Sequence, residues 1–85
     1  MPLRDTEALR SWEVTEHPSV LDRLAVELWV LGLDRSPWQP PSVPWLPNDG
    51  EPTDLRMAEL SDPDIVVMYV VDQVTLEIDL LYVGP

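Results

Sequence analysis

Eighty-five residues with a net charge of −11, from sixteen carboxylates against five arginines and no lysine, make one small acidic domain. A field of that sign repels phosphate backbones and anionic headgroups, so neither nucleic acid nor an anionic membrane surface is an expected direct partner. The absence of cysteine removes disulfides and thiolate metal sites, and the longest apolar run, Ile65 to Val71, is far too short to cross a bilayer.

The start, Met1-Pro2-Leu3-Arg4-Asp5, carries acid early and lacks the apolar run of a signal peptide. The chain is therefore expected to be soluble and cytoplasmic. Residues 1–10 read as a frayed end or a single turn, with Asp5 or Thr6 able to cap a short helix through Arg10. From Ser11 to Glu16, Trp12 and Val14 alternate with Glu13 and Thr15, which suits a first strand with one buried face. His17-Pro18 ends it.

Ser19 is placed to cap a helix, with Asp22 in its first turn where the dipole favours acid. Leu21, Leu24, Leu28 and Leu31 recur at helical spacing and define one apolar stripe. Val26, Trp29, Val30 and Leu33 widen the apolar surface beyond that stripe, so the helix is either clasped on two sides or offers a second face to a partner. Arg23 and Glu27 form an i,i+4 pair, and Gly32 is expected to end the helix as a left-handed cap.

Between residues 34 and 53, Pro37, Pro40, Pro41, Pro44, Pro47 and Pro52 exclude both helix and central strand. Trp38, Val43, Trp45 and Leu46 make this stretch too apolar for a free linker, so it reads as an ordered proline-rich loop. Its tryptophans either patch a small core or anchor a partner. Asn48-Asp49-Gly50 closes it as a turn. The rest is β: a short strand over Asp54–Leu60, a turn at Ser61–Asp64, and a central strand over Ile65–Val71, apolar on both faces. After a two-residue connection at Asp72-Gln73, a last strand runs from Val74 to Val83. Val74, Leu76, Ile78, Leu80 and Tyr82 share one of its faces. The expected fold is a single α+β domain, one main helix packed on a small antiparallel sheet of about four strands.

Groups that carry chemistry are few. His17 is the only histidine, no glycine-rich phosphate loop exists, and the spacing of the acids matches no calcium loop. No catalytic residue, metal or cofactor is assigned. The carboxylates of Asp49, Glu51, Asp54, Glu59, Asp62 and Asp64 surround Arg56 in sequence, and read as a solvated acidic edge or a surface complementary to a basic partner.

Two segments, Asp64-Ile65-Val66-Val67-Met68-Tyr69-Val70-Val71-Asp72 and Leu76-Glu77-Ile78-Asp79-Leu80-Leu81-Tyr82-Val83-Gly84, resemble the final strands of the RelE/ParE toxin superfamily. Leu55 to Leu60 resembles the strand before them, and Trp12-Glu13-Val14 with Leu21–Leu31 is similar to the opening strand and helix. Family members usually carry a two-helix hairpin after the first strand, whereas here the proline-rich loop is read in place of the second helix. The family's ribosome-dependent RNases are basic, and only Arg56 and Tyr82 could stand in for their catalytic groups, outside any motif. The resemblance thus implies the fold, and a toxin–antitoxin or phage-defence setting, without an active site.

The expected function is that of a non-catalytic module binding a basic protein. The expected contacts are Trp29, Trp38, Trp45, Asp49, Glu51, Asp54, Glu59 and Asp62, with a free edge strand, Ser11–Glu16 or Asp54–Leu60, open to strand addition. A divergent mRNA endoribonuclease and an acidic inhibitor mimicking nucleic acid are the alternatives.

Overall fold

The computed structural model describes residues 1–45, 55–61 and 63–85. In chain order these form β1 (Leu3–Asp5), α1 (Glu7–Glu16), α2 (Val20–Gly32), β2 (Val43–Pro44), β3 (Leu55–Ser61), β4 (Asp64–Asp72) and β5 (Glu77–Gly84). The seven apolar residues from Ile65 to Val71 fill β4, which a chain without a second covering layer places in mid-sheet. It sits there in a five-stranded sheet of order β1-β5-β4-β3-β2. β3, β4 and β5 form an antiparallel meander, and β2 adds to β3 through Val43 and Pro44. β1 pairs with β5 in parallel.

The α+β class stands, with two departures from the expected arrangement. The sheet is mixed, because the first ten residues are not frayed but supply a parallel edge strand and the first turn of α1. Ser11–Glu16 is helical, not a strand. Its two-step alternation spans only Trp12 and Val14, whereas Ala8, Leu9 and Trp12 recur at helical spacing and meet the core. Trp12 is buried while Val14 is 63% exposed, a split that one strand face would not give. Two consecutive helices therefore follow the first strand, and the proline-rich stretch does not replace the second. β3 is no free edge either, since β2 occupies its outer side at Arg56 and Met57.

Local signals explain the helix ends. The Asp5 carboxylate accepts from the Glu7 N–H at 3.0 Å ahead of α1. His17 takes a left-handed conformation (φ 46°) and ends that helix before Pro18. Ser19 accepts from the Asp22 N–H at 3.1 Å, the cap its position predicts. Gly32 is not a left-handed cap. It stays helical, and α2 tightens beyond it through Leu33, whose N–H reaches Val30 O at 3.0 Å. Its lack of a Cβ serves another contact, because a Cβ there would lie 2.6 Å from Gln39 Oε1.

The β4–β5 connection is longer than two residues. Asp72 accepts from the N–H groups of Val74 and Thr75 at 2.9 and 3.1 Å, and Leu76 turns the chain at φ 59°. Val74 and Leu76 are consequently exposed loop residues and not strand residues. Farther along, Met68 pairs with Tyr82 and Tyr69 with Leu80, so Leu81 is an extra residue in β5. This bulge inverts the alternation. Ile78, Leu80 and Val83 are buried, while Leu81 and Tyr82 face out.

Both helices cover one face of the sheet. Trp12 from α1 and Val26, Val30 and Leu33 at α2 join Leu60, Ile65, Val67, Tyr69, Val71, Ile78, Leu80 and Val83 in one core. Between the helices, Glu13 faces Glu27, and Glu13 Oε1 is buried without a partner. Hydrogen bonding to Glu27, which requires a shared proton, together with desolvation raises the Glu13 pKa. A raised acid stabilises the fold fully below its unfolded pKa, about 4.3 for glutamate, and that contribution is lost as pH rises through the folded value. Glu13→Gln keeps a donor to Glu27 without the charge. It is expected to raise the melting temperature at pH 7, with the gain shrinking as pH falls through the folded value and gone by the unfolded one. Thermal unfolding across that range checks the sign.

Candidate protein-binding surface

Prolines lack N–H groups, so a proline-rich segment keeps carbonyl acceptors it cannot satisfy from within. In residues 34–45 the body of the domain supplies the donors. The Trp29 indole N–H donates to Pro40 O at 3.0 Å. The Tyr69 hydroxyl, fully buried on β4, lies 2.6 Å from both Pro37 O and Ser42 Oγ. Arg56 Nε donates to Ser42 Oγ at 2.7 Å and its Nη2 to Ser42 O at 3.3 Å. Tyr69 has one proton, which goes to the carbonyl, leaving Ser42 to accept from Arg56 and donate to the phenol oxygen. The edge-on packing of Trp29 against Tyr69, with ring centroids 6.2 Å apart, closes the cluster.

These contacts tie the segment down as a strap across α2, β3 and β4. The expected ordered loop is thus tied down over residues 34–45, and its remainder to residue 53 lies outside the described residues. Pro37 is buried, and Trp45 N–H donates to Leu55 O at 3.0 Å. Trp38 and Trp45 nevertheless leave 50% and 42% of their surface exposed. They do not plug the core.

Of the sequence-derived contact residues, Trp29 turns inward and holds the strap, while Trp38 and Trp45 face outward from it. Glu59 is exposed on β3 and shares with Trp29 a shallow cleft of about 320 Å³, walled also by Ala25, Pro41 and Pro63. Asp49, Glu51, Asp54 and Asp62 lie outside the described residues. Arg56 is engaged with Ser42, and the Tyr82 hydroxyl donates to Pro85 O at 3.0 Å.

A residue the sequence reading left aside organises the other end of the sheet. Arg4 on β1 donates from Nε to Asp79 Oδ1 at 2.9 Å and from Nη2 to Asp79 Oδ2, a bidentate pair. Glu77 and Asp72 lie 3.5 and 3.6 Å from the same guanidinium. The Arg4 bond holds the Asp79 carboxyl below the usual range, and the backbone N–H groups of Thr75 and Val74 do the same for Asp72. These groups stay ionised, and Arg4 stays protonated. No signal within three residues of Arg4 marks this role, because its partners are more than 65 residues away.

Among the described residues no group of three or more histidine, cysteine or carboxylate side chains could hold a metal ion. No described helix is long and apolar enough to cross a membrane. No protein-family model, curated protein or solved structure matches the chain.

Removing the Tyr69 hydroxyl leaves the Pro37 carbonyl without its donor and the Ser42 hydroxyl without its acceptor, at about 1–3 kcal/mol. Tyr69→Phe is expected to lower the unfolding free energy by that amount, read as a lower urea midpoint at unchanged slope in equilibrium denaturation.

Proposed function

We propose that the protein is a non-catalytic module that binds a basic protein, built on a RelE/ParE-like scaffold. The observation that carries this reading is the pair of half-exposed tryptophans, Trp38 and Trp45, on a strap locked to the domain. An immobilised aromatic loses little conformational freedom on binding, which is why such side chains dominate interface energetics. The net charge of −11 gives the molecule a negative field, which steers cationic surfaces inward and phosphates away.

The scaffold reading draws support from topology. A first strand, two consecutive helices and then a run of antiparallel strands is the order that the resemblance implies, although the opening strand lies at Leu3–Asp5 and the Trp12-Glu13-Val14 assigned to it is helical. The non-catalytic part draws support from Arg56 and Tyr82. The side chains that an RNase would need free are bonded within the fold, to Ser42 and to Pro85 O. A cytoplasmic setting rests on the sequence reading, and a toxin–antitoxin or phage-defence role on the sequence resemblance alone.

Affinity capture from the native host, washed at low and at high salt, tests the reading. A stoichiometric basic protein released by salt is the expected result. The Trp38→Ala/Trp45→Ala double variant is expected to weaken that complex by at least about thirtyfold, the scale of a hot-spot loss near 2 kcal/mol. Retention of RNA or ribosomes, or a complex indifferent to salt, would overturn it.

A further inference from the structure

Helix α2 is apolar on two opposite faces. Val26 and Val30 turn into the core with 0% and 1% of their surface exposed. On the far side Leu21, Leu24, Leu28 and Leu31 are exposed by 79, 45, 69 and 60%. Their steps of three, four and three residues align them in the straight seam by which two helices pack knobs into holes. Contiguous exposed leucines of this kind mark an interface, whereas scattered ones need no explanation.

The charge around the seam decides what fits it. Val20, Ala25 and Gly32 flank the leucines and carry no charge. Arg23 and Glu27 face each other at 4.0 Å beside the seam, and Asp34 and Arg35 border its C-terminal end. These groups carry as many positive as negative charges, so a cationic helix gains no excess of carboxylates there and a second copy of this chain meets no cluster of like charge. We infer that two copies of the chain pair through α2, antiparallel about a two-fold axis near Val26. Leu24 then packs against Leu28 of the other copy, and Leu21 against Leu31.

The shape of the seam's far end agrees. A hollow of about 540 Å³ between Leu3, Leu28, Leu31, Gly32, Asp34 and Arg35 lies where the antiparallel arrangement delivers Leu21 of the second copy. Leu21 is the most exposed leucine of the four. Each copy supplies one knob and one hollow, so the contact is self-complementary and closes at two chains. Covering the four leucines and Val20 removes on the order of 550 Å² per copy, or roughly 1,100 Å² in all, just above the ~1,000 Å² a specific interface requires. The strap tryptophans stay outside this contact, because α2 turns Trp29 toward the strap and the leucines away from it.

Net charge gives the dimer a signature of its own. Two chains of −11 repel at long range, and salt screens that repulsion. Dimerisation therefore tightens with salt, opposite to a complex with a basic partner, so the two readings fail separately. Sedimentation equilibrium of the full chain over a concentration series, at low and high salt, is the test. Twice the 9.7 kDa chain mass, with a dissociation constant at least tenfold lower at high salt, is the expected result. Leu24→Glu/Leu28→Glu should give monomer with unchanged circular dichroism, and Trp38→Ala should stay dimeric. A monomer at every concentration and salt, a dimer that survives the double glutamate change, or growth beyond two chains would overturn the inference.

Discussion

The hydroxyl of Tyr69 is the contact on which the rest of the arrangement depends. A strap rich in proline has acceptors and few donors, and left alone it would be a solvated extended coil. Three elements of the body donate to it: Trp29 from α2, Arg56 from β3 and Tyr69 from β4. Tyr69 is the buried member, and its oxygen links Pro37 O to Ser42 Oγ, which in turn meets Arg56. Each partner satisfies the next, which is the condition for a polar group to sit in a core without cost. The consequence is functional. Trp38 and Trp45 owe their fixed positions at the surface to bonds made below them.

Charge is organised by a similar economy. Five bases serve sixteen acids, and one of them, Arg4, answers three carboxylates at once. Those carboxylates converge because β5 and the β4–β5 loop bring Asp72, Glu77 and Asp79 beside β1. Without the guanidinium they would repel one another, so a parallel edge strand of three residues acquires a reason to stay. With sixteen acids against five arginines, the long-range field of the molecule remains negative.

The sequence is most legible where one period runs undisturbed. Ile65 to Val71 has no competing helical reading, and it forms β4 close to its expected limits. Ser19 followed by Asp22 marks the start of α2, and the cap bond forms there. The reading failed over 11–16, where two apolar residues are too few to separate a strand from a helix. The helical partners Ala8 and Leu9 lie upstream, in a stretch that reads as a frayed end or a single turn. It failed again in β5, where Leu81 and Val83 interrupt the polar face in the sequence but do not say that a bulge at Leu81 shifts the faces. Trp29, Trp38 and Trp45 were recognisable as important. Which of them turned inward depended on Pro40 and Tyr69, contacts that no local pattern encodes.

The same limit explains the leucine seam. Two stripes on α2 compete for one sheet, and sequence alone ranks them by leucine content, which favours the wrong one. Packing decides otherwise. The core above β4 is already filled by Tyr69, Trp12 and the valines, and short β-branched side chains let α2 approach closely enough for Trp29 to reach the strap. Leucines at 26 and 30 would push the helix away and break that reach. On the outside, leucine's high helix propensity adds to the hold that Val26 and Val30 give α2 through the core. The domain therefore folds with the seam open, and burying it is left to association. A chain of this length cannot enclose every apolar face it carries, and the face it leaves uncovered is the one with the regular spacing.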